Sequence, residues 1–466
     1  MKKIFCITVC LIMLIQCAVL SSSALSRGEW DELYSSLCEK NTLPTLCVGA
    51  DETQLNLVWH ASAKTAKAVV RVADNKDMND FTELLGITTE AENEEQVVCR
   101  VTLTGIEENT AYYYQWYTGE SWSEVYKYKS KAFSEHKALV IGDIQIGGQS
   151  DASSVQSDVG YEWNSVLTQA LSKNPDISYL VSPGDNTSTG KTASEWQTLL
   201  MPAELRSLPM ALAIGNHDKK GFSYNYYTGM PNEYYGKYFT ELDRDFWFRY
   251  GDVLYLFFDA TSGNAADHMA MAKAAVEANP DAKWRIGVMH QALFGAGYST
   301  FDLETQVLLN GIFTPIFDTY DIDLVLTGHS HLQGRSHFMC ESTVIGKAVS
   351  GNTYTNPNGV IYLNSNAVCD HTSFDSQPYY LAYSFSENDV TTYTTFDFSA
   401  DTLKIKTMRG DNSEVLDSLT IEKTKQHNDS TVLKSIQRFL YKFVELLGLV
   451  YMRIDAVVVE LRGGHY

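Results

Sequence analysis

Apolar and polar residues alternate at short range in the first third of the chain. Residues 55–59 (Leu-Asn-Leu-Val-Trp), 68–72 (Ala-Val-Val-Arg-Val) and 111–116 (Ala-Tyr-Tyr-Tyr-Gln-Trp) are segments of this kind between about 45 and 133. Such spacing predicts short strands of a sandwich, each burying one face, and a separate all-β domain. From residue 137 the pattern changes to apolar runs at 138–141, 177–181, 210–214, 253–258, 285–289 and 324–326, followed by glycine-containing loops and helical stretches. Runs without alternation predict central strands buried on both faces, as in layered α/β proteins, with functional side chains at the strands' C-terminal ends. Alternation returns between 379 and 422, with turns at 386–389 and 409–413, and predicts closing antiparallel strands.

The two ends of the chain read differently. Residues 27–40 form a short acidic, helical-looking lead. Before it, Lys2 and Lys3 precede an uncharged apolar run from 4 to 20 and then Ser22-Ser23-Ala24, which predicts a secretory signal over 1–24 rather than a core helix or retained anchor. Gln16 before Cys17 disfavours a lipoprotein signal. At the other end Leu433, Ile436, Phe439, Leu440, Phe443, Leu446 and Leu447 recur at helical spacing, with Lys434, Arg438 and Lys442 on another face. The segment 430–466 is thus expected to be an amphipathic packing or oligomer helix, with weak interfacial membrane contact as the alternative. No later stretch is long and apolar enough for a transmembrane anchor. The expected divisions are 1–24, a lead over 25–44, the β domain over 45–133, the α/β domain over 137–424 and the tail over 430–466.

Charge narrows the partners. The formal net charge is −21, and loss of Lys2 and Lys3 with the leader leaves 34 basic against 57 acidic side chains, or −23. Such a surface repels polyanions, and no cluster of Lys and Arg offers a groove for nucleic acid. A small anionic substrate remains admissible where cations reverse the field in one pocket. Five cysteines remain after the leader: Cys38, Cys47, Cys99, Cys340 and Cys369. In an oxidising compartment Cys38 with Cys47 and Cys340 with Cys369 are candidate disulfides, and five buried thiols are the alternative.

Five strand-end motifs carry the candidate chemistry: Gly142-Asp143-Ile144-Gln145, Gly184-Asp185-Asn186, Gly215-Asn216-His217-Asp218, Met289-His290 and Gly328-His329-Ser330-His331. Singly, each reads as a capped turn. Together they supply carboxylate, amide and imidazole groups suited to a pair of hard cations sharing a phosphate.

In this order the motifs resemble those of the calcineurin-like metallophosphoesterases, and specifically the purple acid phosphatase branch, from about residue 45 to 422. Residues 103–110 (Leu-Thr-Gly-Ile-Glu-Glu-Asn-Thr), followed by Tyr112-Tyr113-Tyr114, resemble that branch's fibronectin-type N-terminal domain. The resemblance implies a four-layer α/β sandwich, of α+β type, behind the all-β domain. It implies that Asp185 bridges two metal ions, that Asp143 and His331 complete one site, and that Asn216, His290 and His329 complete the other. It also implies an outer-sphere role for His217, as a phosphate contact or proton donor to the leaving group. Asp218 is expected to fix the tautomer of that imidazole, and Asn186, Asn216 and His217 are expected to face the substrate.

Two departures bear on the metal. Ser188 stands where purple enzymes have a tyrosine, which removes the basis for an iron-to-tyrosine colour. Gln145 stands where the wider superfamily has histidine, offering an amide oxygen or orienting a water. Fe, Mn and Zn all fit the mixed ligand set. The tyrosines of segment 219–250, Tyr224, Tyr226, Tyr227, Tyr234, Tyr235 and Tyr238, are candidates to stack on an aromatic leaving group. The expected function is that of a secreted or cell-surface, dinuclear-metal phosphomonoesterase in which hydroxide generated at the cations attacks phosphorus. The alternatives are a phosphodiesterase or nucleotide pyrophosphatase using the same metals, and a catalytically silent cell-surface binding protein.

Overall fold

The computed structural model describes residues 25–148, 152–221, 223–236, 244–297, 308–369, 371–372, 377–387 and 390–424. The expected leader, the tail helix and Tyr238 lie outside them.

The apolar runs fold as the central strands expected of them. Ile177–Ser182, Val253–Phe258, Trp284–Met289 and Leu324–Thr327 are buried at every position. They belong to two sheets that face each other. One contains the strands His136–Val140, Ile177–Ser182 and Met210–Leu212 in parallel, flanked by the antiparallel run Thr392–Phe398, Thr402–Arg409 and Val415–Glu422. The other joins Val253–Phe258, Trp284–Met289, Leu324–Thr327 and Ile361–Asn364 in parallel. Tyr179 of the first sheet donates its hydroxyl to Tyr255 of the second at 3.1 Å, and both rings are fully buried between the layers.

Helices cover both outer faces. Trp163 on the helix Ser153–Lys173 is buried in the core of the first sheet. The helices Ala265–Ala278 and Asn310–Thr319 place Met271, Ala272, Phe313 and Phe317 in a second core against the other sheet. The result is the expected four-layer sandwich. Its parallel strands end together, so the loops after residues 140, 182, 212, 289 and 327 converge on one rim.

The amino-terminal strands form an all-β sandwich whose core contains Leu57, Trp59, Val70, Tyr114 and Trp116. Gln54–Ser62 and Gln96–Thr104 pair antiparallel along their whole length, from Gln54↔Thr104 to Ser62↔Gln96. This unit is less separate than its composition suggests. Thr45–Val48 pairs with Gln54–Ser62 on one side and, through Cys47↔Met210, with the catalytic sheet on the other, making one continuous sheet of 11 strands. The short lead is also tied down. Ser26 and Glu29 form a reciprocal cap for the helix Arg27–Leu37, and its Trp30 is fully buried with its indole N–H donated to Ser157 O at 2.9 Å.

The disulfides do not form. None of the five cysteines is joined in a disulfide; Cys38, Cys47 and Cys99 are buried, and burial pushes the Cys47 thiol up to about 12. Cys340 instead approaches Asp318 at 3.8 Å, and Cys369 approaches the Gln145 carbonyl at 3.8 Å.

Candidate metal centre

Three of the five ligand-bearing loops leave their strands through backbone that few side chains adopt. Asp143, Gln145, Asp185, His329 and His331 all have positive φ, between 44° and 68°. Left-handed conformations at non-glycine residues cost energy and persist only where surrounding bonds over-determine them. Here the loops are laced to one another. Asp143 N–H donates to Gly184 O at 3.3 Å and Gln145 N–H to Asp185 O at 2.8 Å. His217 N–H donates to Asp185 Oδ1 at 2.8 Å, and His329 N–H reaches both Asp143 oxygens at 2.9 and 3.0 Å. Two motif glycines permit this closeness: a Cβ on Gly215 would overlap Asp185 Oδ1, and one on Gly328 would overlap Asp143 Oδ2.

The lacing brings the expected ligands to one place. Ligand atoms of Asp185, His290 and His329 lie within 4.8 Å of one another. His331 Nε2 lies 3.6 Å from Asp143 Oδ1, and the His290 and His329 ring centroids are 5.1 Å apart. His290 Nδ1 faces Pro183 O at 3.2 Å, which fixes Nε2 as the atom turned inward. That Nε2 lies 3.0 Å from Asp185 Oδ2 yet makes no hydrogen bond. Asn216 Oδ1 and Gln145 Oε1 are likewise buried without a hydrogen-bond partner. Buried polar atoms left without hydrogen-bond partners cost about 1–3 kcal/mol each, and three of them lie on these ligand-bearing loops.

Charge points the same way. Burial pushes Asp143 up to about 6, against the pull of His290 and His331, and pushes Asp218 up to about 6 with help from Asp185. Burial also acts upward on Asp185, but the neighbouring His290 charge outweighs it and holds the carboxyl at about 2. Buried carboxylates clustered with inward imidazoles and amide oxygens lack only cations. The residues present therefore fit a metal centre held by Asp143, Asp185, Asn216, His290, His329 and His331, with Gln145 Oε1 as a further oxygen.

Three expected roles need correction. Asp218 does not face the His217 ring. Its Oδ2 accepts from Asn186 N, Asn186 Nδ2 and Gly215 N at 3.0–3.1 Å, and its Oδ1 accepts from Thr187 N and Thr187 Oγ1 at 2.9 and 3.0 Å. It is the knot that ties the Asp185 loop to the Asn216 loop. The partner of His217 Nδ1 is the Ser188 carbonyl at 2.6 Å. Asn186 cannot face substrate either, being fully buried with its amide given to Ala213 O and Asp218 and its oxygen accepting from Ser182. The described tyrosines of the aromatic segment lie in the core or at another cavity. Tyr224 and Tyr227 are core residues hydrogen-bonded to Leu212 O and Asn41, while Tyr226 and Tyr235 line a cavity of about 840 Å³ against the β-sandwich.

Ser188 is buried with its hydroxyl turned to Gly148 O, so no phenolate stands there. Lys220 was not singled out by its sequence, yet its Nζ lies 3.0 Å from His217 Nδ1. Its position three residues after His217, on the short 3-10 turn Asp218–Lys220, was the available signal. The loop after Ile361–Asn364 also joins the rim: Val368 N–H donates to Asp143 O at 3.0 Å, and Thr372 Oγ1 donates to Ser330 O at 2.9 Å.

Two helix-covered sheets with oxygen and imidazole ligands at one rim define a metallophosphoesterase-type hydrolase. Residues 136–333 match the calcineurin-like phosphoesterase family and residues 43–130 the purple acid phosphatase N-terminal domain. The chain is a metal-dependent phosphoester hydrolase that joins these two domains, and the family implies a dinuclear centre. Among solved structures it is similar to a purple acid phosphatase from yellow lupin (Lupinus luteus) seeds. That likeness has a TM-score of 0.67 and 14% identity, over 84% of this chain and 76% of that one. PhoD is matched at a TM-score of 0.49 and 11% identity, over 89% of this chain and 98% of that one. GAP50, the anchor in the inner membrane complex of Plasmodium, is matched at 0.44 and 16%, over 66% and 95%. At 14% identity the likeness to the lupin enzyme is one of fold. No curated protein matches the chain.

Proposed function

We propose that the chain is an exported phosphomonoesterase acting on small phosphate esters at a two-metal centre. The observation that supports this best is the convergence of the Asp185, His290 and His329 ligand atoms within 4.8 Å, beside buried Asn216 Oδ1 and His290 Nε2 atoms that have no hydrogen-bond partner. Bound cations supply Lewis-acid polarisation of the phosphoryl oxygens and a water of lowered pKa. The chain's own residues supply position and proton control. Asp185 would be shared by the ions, Asp143 and His331 would complete one site, and Asn216, His290 and His329 the other. Ser188 O can only accept, so His217 Nδ1 carries a proton and Nε2 is left as the atom that exchanges a proton with the leaving oxygen. Gln145 Nε2 stands against the edge of this ring, 3.2 Å from Nδ1 and 3.3 Å from Nε2.

The leader composition and the frequent secretion of this family support export, and no helix among the described residues is long and apolar enough to cross a membrane. The test is a panel of phosphate mono- and diesters assayed with added Mn, Zn or Fe. Turnover of monoesters above diesters is the expected result; preference for bis-p-nitrophenyl phosphate overturns the monoesterase assignment, and metal-loaded protein that cleaves neither overturns the whole proposal.

A further inference from the structure

We infer that the metal centre is extended by a second anion subsite, formed by Lys191, Lys219 and Lys220 beside His217, and that the preferred substrates are small esters carrying a second phosphate next to the scissile one. This rests on the phosphoesterase function proposed above.

Lys220 Nζ lies 3.0 Å from His217 Nδ1, but that nitrogen already gives its proton to Ser188 O. It has no lone pair for the ammonium, so the three Nζ protons of Lys220 are left for another acceptor. Neither Lys220, Lys219 nor Lys191 has a carboxylate within ion-pair distance among the described residues. The three are held on one rim by backbone packing. Gly190 lies against Asp218 O, and Gly221 lies against Gly190 O with its would-be Cβ 2.9 Å from Lys191 Cα. Ser223 N–H also donates to Gly190 O at 3.3 Å. Because Asp218 ties the same loops to Asn186, Thr187 and Gly215, the lysines keep their station relative to the ligands.

In a chain of net charge −21, three lysines without a carboxylate partner among the described residues, one of them 3.0 Å from the His217 ring, make the field at this rim more positive. One phosphate is accommodated by the buried ligand set; the rim meets what projects from it. An ammonium binds phosphate as a mobile point charge, which suits a second phosphate on a small scaffold. Three lysines are too short a track for a polynucleotide, whose backbone the rest of the surface repels.

The test compares kcat/KM for myo-inositol 4,5-bisphosphate with that for myo-inositol 4-phosphate. The wild type is expected to favour the bisphosphate, and Lys220→Gln to lower the bis-to-mono ratio about fivefold, as for one unit charge about 4 Å from another in water. Lys191→Gln in addition should lower it further, salt should erode it, and Lys129→Gln on the remote sandwich should not move it. A ratio unchanged in the double variant overturns the inference. Should the loaded enzyme hydrolyse neither ester, the phosphoesterase function fails, and calorimetry still decides the subsite. Pyrophosphate bound about fivefold more weakly by Lys220→Gln, with inorganic phosphate less affected, supports it; equal losses for both anions overturn it.

Discussion

Replacing Asp218 by alanine separates two accounts of this residue, and the structure sets the size of the effect. The carboxylate accepts five hydrogen bonds, three of them from the backbone N–H groups of Asn186, Thr187 and Gly215, in fully buried surroundings. Orphaning a buried donor costs about 1–3 kcal/mol, so three backbone donors alone set a ceiling of about 9 kcal/mol. Two effects reduce it: water entering the cavity re-satisfies part of the set, and removing a carboxyl that burial pushes up to about 6 relieves a desolvation cost. The expected loss is about 3–5 kcal/mol, the range for breaking a buried polar network. Urea denaturation of the metal-free protein, followed by circular dichroism, measures it. Metal affinity should fall as well, since the Asp185 loop loses its tie to the Asn216 loop. Stability within about 0.5 kcal/mol of wild type, with full metal content and turnover as low as in a His217 variant, would refute this reasoning and restore Asp218 as the imidazole's partner.

Three further outcomes follow from the same geometry. His217→Ala should cut turnover by about 10²–10⁴-fold while elemental analysis finds metal content unchanged; a metal-free variant contradicts the outer-sphere assignment. Gly328→Ala should lose metal even though no ligand is removed, because a Cβ there overlaps Asp143 Oδ2; wild-type metal content in a folded variant refutes the close-packing argument. The third concerns pH, away from the metal centre. Burial opposes protonation of His268, but the Asp245 carboxylate 2.6 Å away prevails and raises the imidazole to about 9. A raised folded-state value means the pair's stability is fully present below the unfolded value near 6.5 and is lost as pH rises through about 9. The loss is on the order of 3 kcal/mol. Urea midpoints at pH 6 and pH 9.5 should differ more in wild type than in His268→Gln, and equal differences contradict the assignment.

The layers of the fold were legible because fully buried strands must be continuous apolar runs. Residues 253–258 and 324–326 read as central strands and fold so. The convergence of Asp185, His290 and His329 was legible for a related reason: Gly-Asp, Gly-Asn and Gly-His at strand ends are local signatures of loops that bring a carboxylate close to backbone. What sequence could not convey was side-chain direction. Asp218 follows His217 directly, yet on a tight turn adjacent side chains diverge, so the carboxylate is turned into the loops and the imidazole outward. Asn186, next to Asp185, is buried for the same reason. The tyrosines of segment 219–250 have a composition that suits either stacking or packing, and only tertiary contacts such as Tyr227 against Trp196 decide between them. Cysteine spacing was equally silent on pairing, because Cys47 faces the buried sheet interior. The continuity of one sheet through both domains depends on a single parallel pair, Cys47↔Met210, which leaves no periodic trace.

Whether Asp185 is shared by two cations is the point on which the rest depends, and counting bound metal tests it most directly. Purified protein reconstituted with Mn, Zn or Fe should hold two ions per chain by elemental analysis, and Asp185→Ala should lose both together with phosphoester hydrolysis. A folded wild type that holds less than one ion, or an Asp185→Ala protein that retains two, contradicts the account.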